Sequence, residues 1–264
     1  MDAFYEQIDE HRYLSTPSTA GPWDPGAQHG GPPSALLAHA VTHDTPARPD
    51  LRLARMTLEL LRPVPVAELT TSTRVLRTGR RTELVVAELS ADGVTVLRMT
   101  ASRVAAVPGS APAVPAVEII PPLPPSTEPL PWAGAHVDGY MSAIEWRPVT
   151  GSPATSGPAE VWARTTVDLV AGHETSPVER TLIVADSGSG VSAELDIREW
   201  TFVNSDLTVL LHRHPAGEWI RLDAVTTIDA DGIGCAHTSL SDTHGSLGYG
   251  LQTLVVGPRG LPGR

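Results

Sequence analysis

The chain has 264 residues, a formal charge of −11 and 41% hydrophobic residues, enough core-forming material for one large domain or two of ordinary size. All 19 basic residues are arginine; the acidic balance argues against general binding to nucleic acid or an anionic membrane, but leaves room for local arginines around a phosphorylated small molecule. The single cysteine, Cys235, excludes an internal disulfide and a cysteine-rich metal site, and no apolar run approaches the ~18 residues of a membrane span.

With no signal segment at its start, the chain is expected to be soluble and cytoplasmic. A short strand is expected near His11 to Leu14, then a loop through Trp23. Pro32 and Pro33 then open an Ala/Leu-rich helix, since proline is tolerated in a first turn whose N–H groups have no helical partner. That helix is small, apolar and therefore buried on most sides, and it ends before the turn at Asp44 to Pro49. Four alternating segments follow as strands: Leu51 to Arg62, Leu69 to Arg77, Thr82 to Leu89 and Val94 to Val107. Asp92-Gly93 is a hairpin turn between the last two.

Residues 108–134 lose all periodicity and are dense in proline, which marks a stiff connector between units at 1–107 and 135–264. The second unit repeats the first. Val137 to Arg147 and Ala159 to Leu169 read as strands. Ser176-Pro177 caps a helix running to Ala185-Asp186, and strands follow at Asp196 to Arg213, Glu218 to Ile228, Gly232 to Leu240 and Gly248 to Val256. A helix-plus-meander unit occurring twice predicts an α+β duplication whose sheets pair edge to edge, each helix lying in the curve of its own sheet.

One stretch carries chemistry. Leu182 to Ala185 is an apolar run that delivers Asp186 into a turn at Gly188 and Gly190. Taken alone, the stretch reads equally as a helix-end aspartate and as a functional carboxylate. Asn204 and Gln252 favour the second reading, through a resemblance that covers nearly the whole chain. It rests on Gln28-His29-Gly30-Gly31-Pro32-Pro33, Leu58 to Pro65 and Arg77 to Arg81 in the first half. In the second it rests on Ala185-Asp186, Asn204 to Leu207, His212-Arg213, Gly217-Glu218-Trp219 and Asp242 to Gln252. In these pieces, their order and their spacing, the chain resembles the double-hotdog acyl-CoA thioesterases of the TesB-like group.

The resemblance implies a tandem hotdog: two long central helices, each wrapped by an antiparallel sheet, the sheets pairing into one. It implies hydrolysis of an acyl-CoA by a water held between an aspartate, a hydroxyl residue and a glutamine, with no covalent intermediate and no cofactor. By position the aspartate is Asp186 and the glutamine Gln252. The hydroxyl position falls on Asn204, a departure from the family, although an amide also bonds water. His29, Gly30, Gly31, Trp219 and Tyr249 are candidates for the pocket. Arg62 and Arg213, with Arg80 and Arg81, are candidates for the CoA phosphates, the competing reading for each arginine being a solvated surface charge.

Two other functions compete. An enoyl-thioester hydratase or dehydratase would carry D-x-N-P-x-H, whereas Asp206 to His212 is one residue too long and has no Asn-Pro. A non-catalytic acyl-CoA-binding hotdog would tolerate the asparagine. His212 and His214 share one strand face but lack a third ligand, so no metal is expected. Ser187 lacks the G-x-S-x-G setting of a serine hydrolase. Acyl chain length is left open, as is oligomeric state, with a homo-oligomer among the options.

Overall fold

The computed structural model describes residues 3–114, 119–126, 130, 132–152 and 155–260, so parts of the proline-rich connector lie outside the described residues. The first half holds β1 (Ala3–Gln7), β2 (Arg12–Ser15), α1 (Gly31–His43), β3 (Leu51–Leu60), β4 (Glu68–Thr78), β5 (Thr82–Ala91) and β6 (Val94–Ala105). The second holds β7 (Ile144–Ser152), β8 (Thr155–Thr165), β9 (Asp168–Val170), α2 (Pro177–Ala185), α3 (Gly188–Val191), β10 (Trp200–Asn204), β11 (Asp206–Leu211), β12 (Ile220–Ile228), β13 (Ile233–Asp242) and β14 (Gly245–Pro258). No helix among the described residues is long and apolar enough to cross a membrane.

The strands form one sheet in the order β7-β8-β12-β13-β14-β11-β3-β6-β5-β4-β2-β1-β9, with β10 paired to β14. The two meanders join where β11 lies antiparallel to β3, with Leu207 opposite Leu58 and Val209 opposite Met56, all four buried. The sheet also curls back on itself. β8 sits near one end of the order and β9 at the other, yet only residues 166 and 167 separate them in sequence. Three Cα steps of about 3.8 Å therefore hold those ends within roughly 11 Å of each other.

Inside the curl lie the helices. Every residue of α1 from Gly31 to Val41 is buried, as its mostly apolar sequence requires, and the buried stretch includes the polar Ser34 and His39. The strands alternate, with Val85, Ala87 and Leu89 of β5 turned inward beneath it. The β5–β6 hairpin closes through Asp92 and Gly93, both at positive φ (48° and 75°), as expected of an Asp-Gly turn.

α2 begins with a reciprocal cap: Glu179 N–H donates to Ser176 Oγ (3.3 Å), and Ser176 N–H donates to Glu179 Oε2 (2.6 Å). Ser176→Ala removes one half of that exchange; we expect a loss of about 1 kcal/mol, read as a fall in Tm of roughly 2–4 °C. The resemblance implies two long helices, but only α1, at 13 residues, is long. α2 stops after 9 residues, where the carbonyl of Asp186 is taken by the Gln252 amide (2.9 Å), and the helical turn that follows, α3, is a separate short element.

Three further segments differ from the sequence reading. β1 has no expected counterpart and pairs with both β2 and β9, and the strand expected from Ala159 to Leu169 is divided into β8 and the short β9. Residues 137–143 are not strand: His136 N–H and Tyr140 N–H donate to Pro22 and Ala20 carbonyls, which turns this segment onto the first half. The long strand expected from Asp196 to Arg213 is broken at Ser205. From Asn204 to Thr208 the chain advances four residues while its partners on β14 recede three, from Leu254 to Leu251, which is a one-residue bulge.

Candidate active site

Asp186 closes α2, and its placement is dictated by two glycines on the element that meets it. A Cβ on Gly31 would lie 2.0 Å from the Ile183 carbonyl oxygen, and one on Gly30 would lie 2.6 Å from Asp186 Oδ2. Only glycine lets the start of α1 come this close to the end of α2. The carboxylate is buried, with 5% of its side chain exposed, beside the N-terminus of α1, where the helix dipole favours a negative charge.

The two oxygens of Asp186 have different surroundings. Oδ1 accepts from Asn204 Nδ2 (2.8 Å) and Gln252 Nε2 (3.2 Å). Oδ2 has no hydrogen-bond donor among the described residues; its polar neighbour is His29 Nδ1 at 3.4 Å. That nitrogen already accepts the Gly31 N–H (3.1 Å), which places the imidazole proton on Nε2. Burial pushes the His29 pKa down, and the Asp186 charge only partly opposes this. A neutral imidazole therefore lies against the free carboxylate oxygen.

Asn204 owes its aim to the β10–β11 bulge. Its second amide hydrogen goes to the Asp206 carbonyl (3.0 Å), while Asp206 Oδ1 accepts Thr253 N–H (2.9 Å) across the disrupted ladder. Asp206 is thus occupied in bracing the bulge, and His212 beyond it is exposed, so this pair does not form a hydratase dyad.

Gln252 is buried and behind the carboxylate. Its Oε1 accepts Ser189 N–H (3.0 Å), and its Nε2 serves the Asp186 carbonyl and Oδ1 together. The expectation that Gln252 itself holds a water is therefore revised: its amide ties α2, α3 and the carboxylate into one piece. Gln252→Ala should free the Asp186 side chain to wander, and a misplacement of about 1 Å costs on the order of 100-fold in turnover. A kcat within a few-fold of wild type would argue that the carboxylate is fixed by Asn204 alone.

Sequence reasoning missed Tyr140. Its ring stacks on His29 at 3.6 Å with the planes 4° apart, and its hydroxyl donates to the Ile183 carbonyl (2.8 Å) and bonds Ser187 Oγ (2.7 Å). Burial raises the phenol pKa, so it remains a neutral donor. No local pattern announces this role, because it depends on residues more than 40 positions away.

Beside the carboxylate lies a cavity of about 940 Å³. Asp186, Asn204, His29 and Gly30 line one part of it, and Leu60, Leu61, Trp132, Met141, Trp146 and Phe202 supply apolar wall. Of the expected binding residues, Arg62 lines the cavity, and its guanidinium has no partner among the described residues. Gly31 lies behind the wall, packed on α2.

The structure places the remaining candidates outside the lining. Arg213 makes a two-pronged pair with buried Asp242 (2.5 and 2.7 Å). Trp219 lies under the guanidinium groups of Arg147 (4.4 Å) and Arg164 (5.0 Å). Tyr249 stands on the outer face of β14, stacked on His237. Arg80 and Arg81 are exposed at the β4–β5 turn.

Comparison with known proteins identifies the family and the fold. Residues 19–104 match the family described as "Acyl-CoA thioesterase N-terminal domain", and residues 121–256 match "Acyl-CoA thioesterase C-terminal domain". No curated protein matches the chain. Among solved structures, a candidate thioesterase from Novosphingobium aromaticivorans superposes with a TM-score of 0.73 at 20% identity, over 96% of this chain and 98% of its own. A candidate thioesterase II from Thermobifida fusca gives 0.74 at 20% identity, over 97% and 98%. The acyl-CoA thioesterase II TesB2 of Mycobacterium marinum gives 0.67 at 17% identity, over 98% and 97%. At these identities the structural likenesses establish the shared fold.

Proposed function

The chain belongs to the acyl-CoA thioesterase family and is a thioester hydrolase; from that premise we propose that it hydrolyses an acyl-CoA by direct attack of a water activated at Asp186. The observation that carries this reading is the asymmetry of the carboxylate. Oδ1 is fixed by two side-chain amides, and Oδ2 is left without a donor beside a lined cavity.

In this reading Oδ2 takes a proton from water as the water oxygen bonds to the thioester carbonyl carbon. The oxyanion that forms needs a donor. Gly30 N–H, which has no acceptor among the described residues, is offered at the N-terminus of α1. Pro32 and Pro33 have no N–H, and that of Gly31 is spent on His29, so Gly30 is the donor left in this first turn. Collapse of the tetrahedral species breaks the C–S bond. The proton held on Asp186 passes to the departing thiolate, giving CoA thiol and a carboxylic acid. The Ser187 hydroxyl is engaged with Tyr140, in keeping with a route that has no acyl-enzyme.

The apolar wall suits an acyl chain, and Arg62 suits a CoA phosphate. The test is thiol release from a panel of straight-chain acyl-CoAs. Catalytic release that depends on Asp186 supports the proposal, and saturable binding with no thiol release would instead make the protein a binder.

A further inference from the structure

The geometry points to a second site, at the other end of the α1–α2 pair: His39, His43 and Glu179 form a binding site for a divalent transition-metal ion of the Zn²⁺ class, with His173 beside it. His39 and His43 are four residues apart and share one face of α1. Glu179 lies in the first turn of α2, seven residues or about 10 Å along the helix direction from Asp186. One ligand atom from each of the three lies within 4.8 Å of the others.

The closest pair is His39 Nδ1 and Glu179 Oε1, at 3.0 Å. A tetrahedral Zn²⁺ with bonds of about 2.0–2.1 Å sets its ligand atoms about 3.3 Å apart, so this spacing suits a shared ion as well as a shared proton. Both residues are buried, and the Glu179 carboxylate is held by Ser176 N–H on its other oxygen (2.6 Å), the kind of outer hydrogen bond that orients a metal ligand.

The other side of the cluster is open. His43 and His173 are exposed, their rings 4.2 Å and 5.7 Å from that of His39. They give an ion a path in, and His43 has the rotamer freedom to close on it. An imidazole–imidazole–carboxylate set selects Zn²⁺, Co²⁺ or Ni²⁺ over Mg²⁺ or Ca²⁺, which prefer oxygen alone. Sequence reading expected no metal, because its two buried ligands stand 140 positions apart.

The site is independent of the hydrolytic reading, so its test needs no substrate. The intact protein, stripped with a chelator, is titrated with Zn²⁺ by calorimetry and with Co²⁺ by visible absorption. The expected result is a saturable single-site isotherm, the visible bands of a low-coordinate Co²⁺ centre and a Zn²⁺-dependent rise in Tm. His43→Ala, a surface change, should weaken binding by about tenfold or more and abolish the Co²⁺ bands while leaving thiol release from acyl-CoA unchanged. Absence of binding to the wild-type chain would overturn the assignment. So would a His43→Ala variant that binds as tightly as wild type, since the ion would then sit at exposed Cys235 or on scattered surface histidines.

Discussion

Asp186→Asn is expected to lower kcat for thiol release from acyl-CoA by about 10²–10⁴-fold, the usual range for loss of a general base. The substitution keeps shape and volume. Asn204 and Gln252 both donate to one oxygen of Asp186, so the new amide will turn its carbonyl towards them and its NH₂ towards the former Oδ2 position. The scaffold is preserved while the carboxylate oxygen beside His29 and Gly30, the proton acceptor of the proposed step, becomes a donor. Unchanged circular dichroism and a Tm within a few degrees of wild type would show that chemistry was removed rather than structure. Hydrolysis surviving within tenfold would sink the mechanism.

The largest expected effect on stability comes from Gly31→Ala. Its new methyl would sit 2.0 Å from the Ile183 carbonyl oxygen, inside any tolerable contact, and the obstacle is backbone on a packed helix. Either α1 and α2 separate along their whole contact or the turn before α1 rebuilds. Overpacking of a rigid core costs typically 1–3 kcal/mol, and a backbone obstacle belongs at or above the upper end. We expect a loss of about 3 kcal/mol or more and a fall in Tm of roughly 6–12 °C. Gly190→Ala is the contrast, because a Cβ there meets nothing within 4 Å; it should be neutral or slightly stabilising. Equal thermal shifts for the two variants would contradict the close approach of the helices.

The elements set by local chemistry were legible in the sequence. The proline-led start of α1, the Ser176 cap of α2 and the Asp92-Gly93 hairpin each follow from residues within one turn of each other. What escaped depends on distant partners. β1 and β9 are five and three residues long and carry no periodicity of their own; β9 is a strand because β1 is present, and β1 is held between β9 and β2. The bulge at Ser205 is invisible without β14 to count against.

In the candidate site the outcome depended on strand parity. Gln252 and Tyr249 lie three apart on β14, so they must face opposite sides, and an inward Gln252 already sends Tyr249 out. Trp219 and Arg213 had no such constraint. Both find their partners in other side chains, Arg147 and Arg164 for one and Asp242 for the other, which a linear reading does not bring together.

The parallel pairing of β1 with β9 also sets an order of assembly. Ala3–Gln7 is made some 160 residues before one of its two neighbours, Asp168–Val170. The N-terminal meander can gather as it is synthesised, because β3 to β6 are contiguous in the chain. Its flank must then stay uncovered until the second unit arrives. Closure of the curl is therefore the slow, late event, governed by contacts of long sequence separation, and the interval before it is when a nascent chain most needs a chaperone.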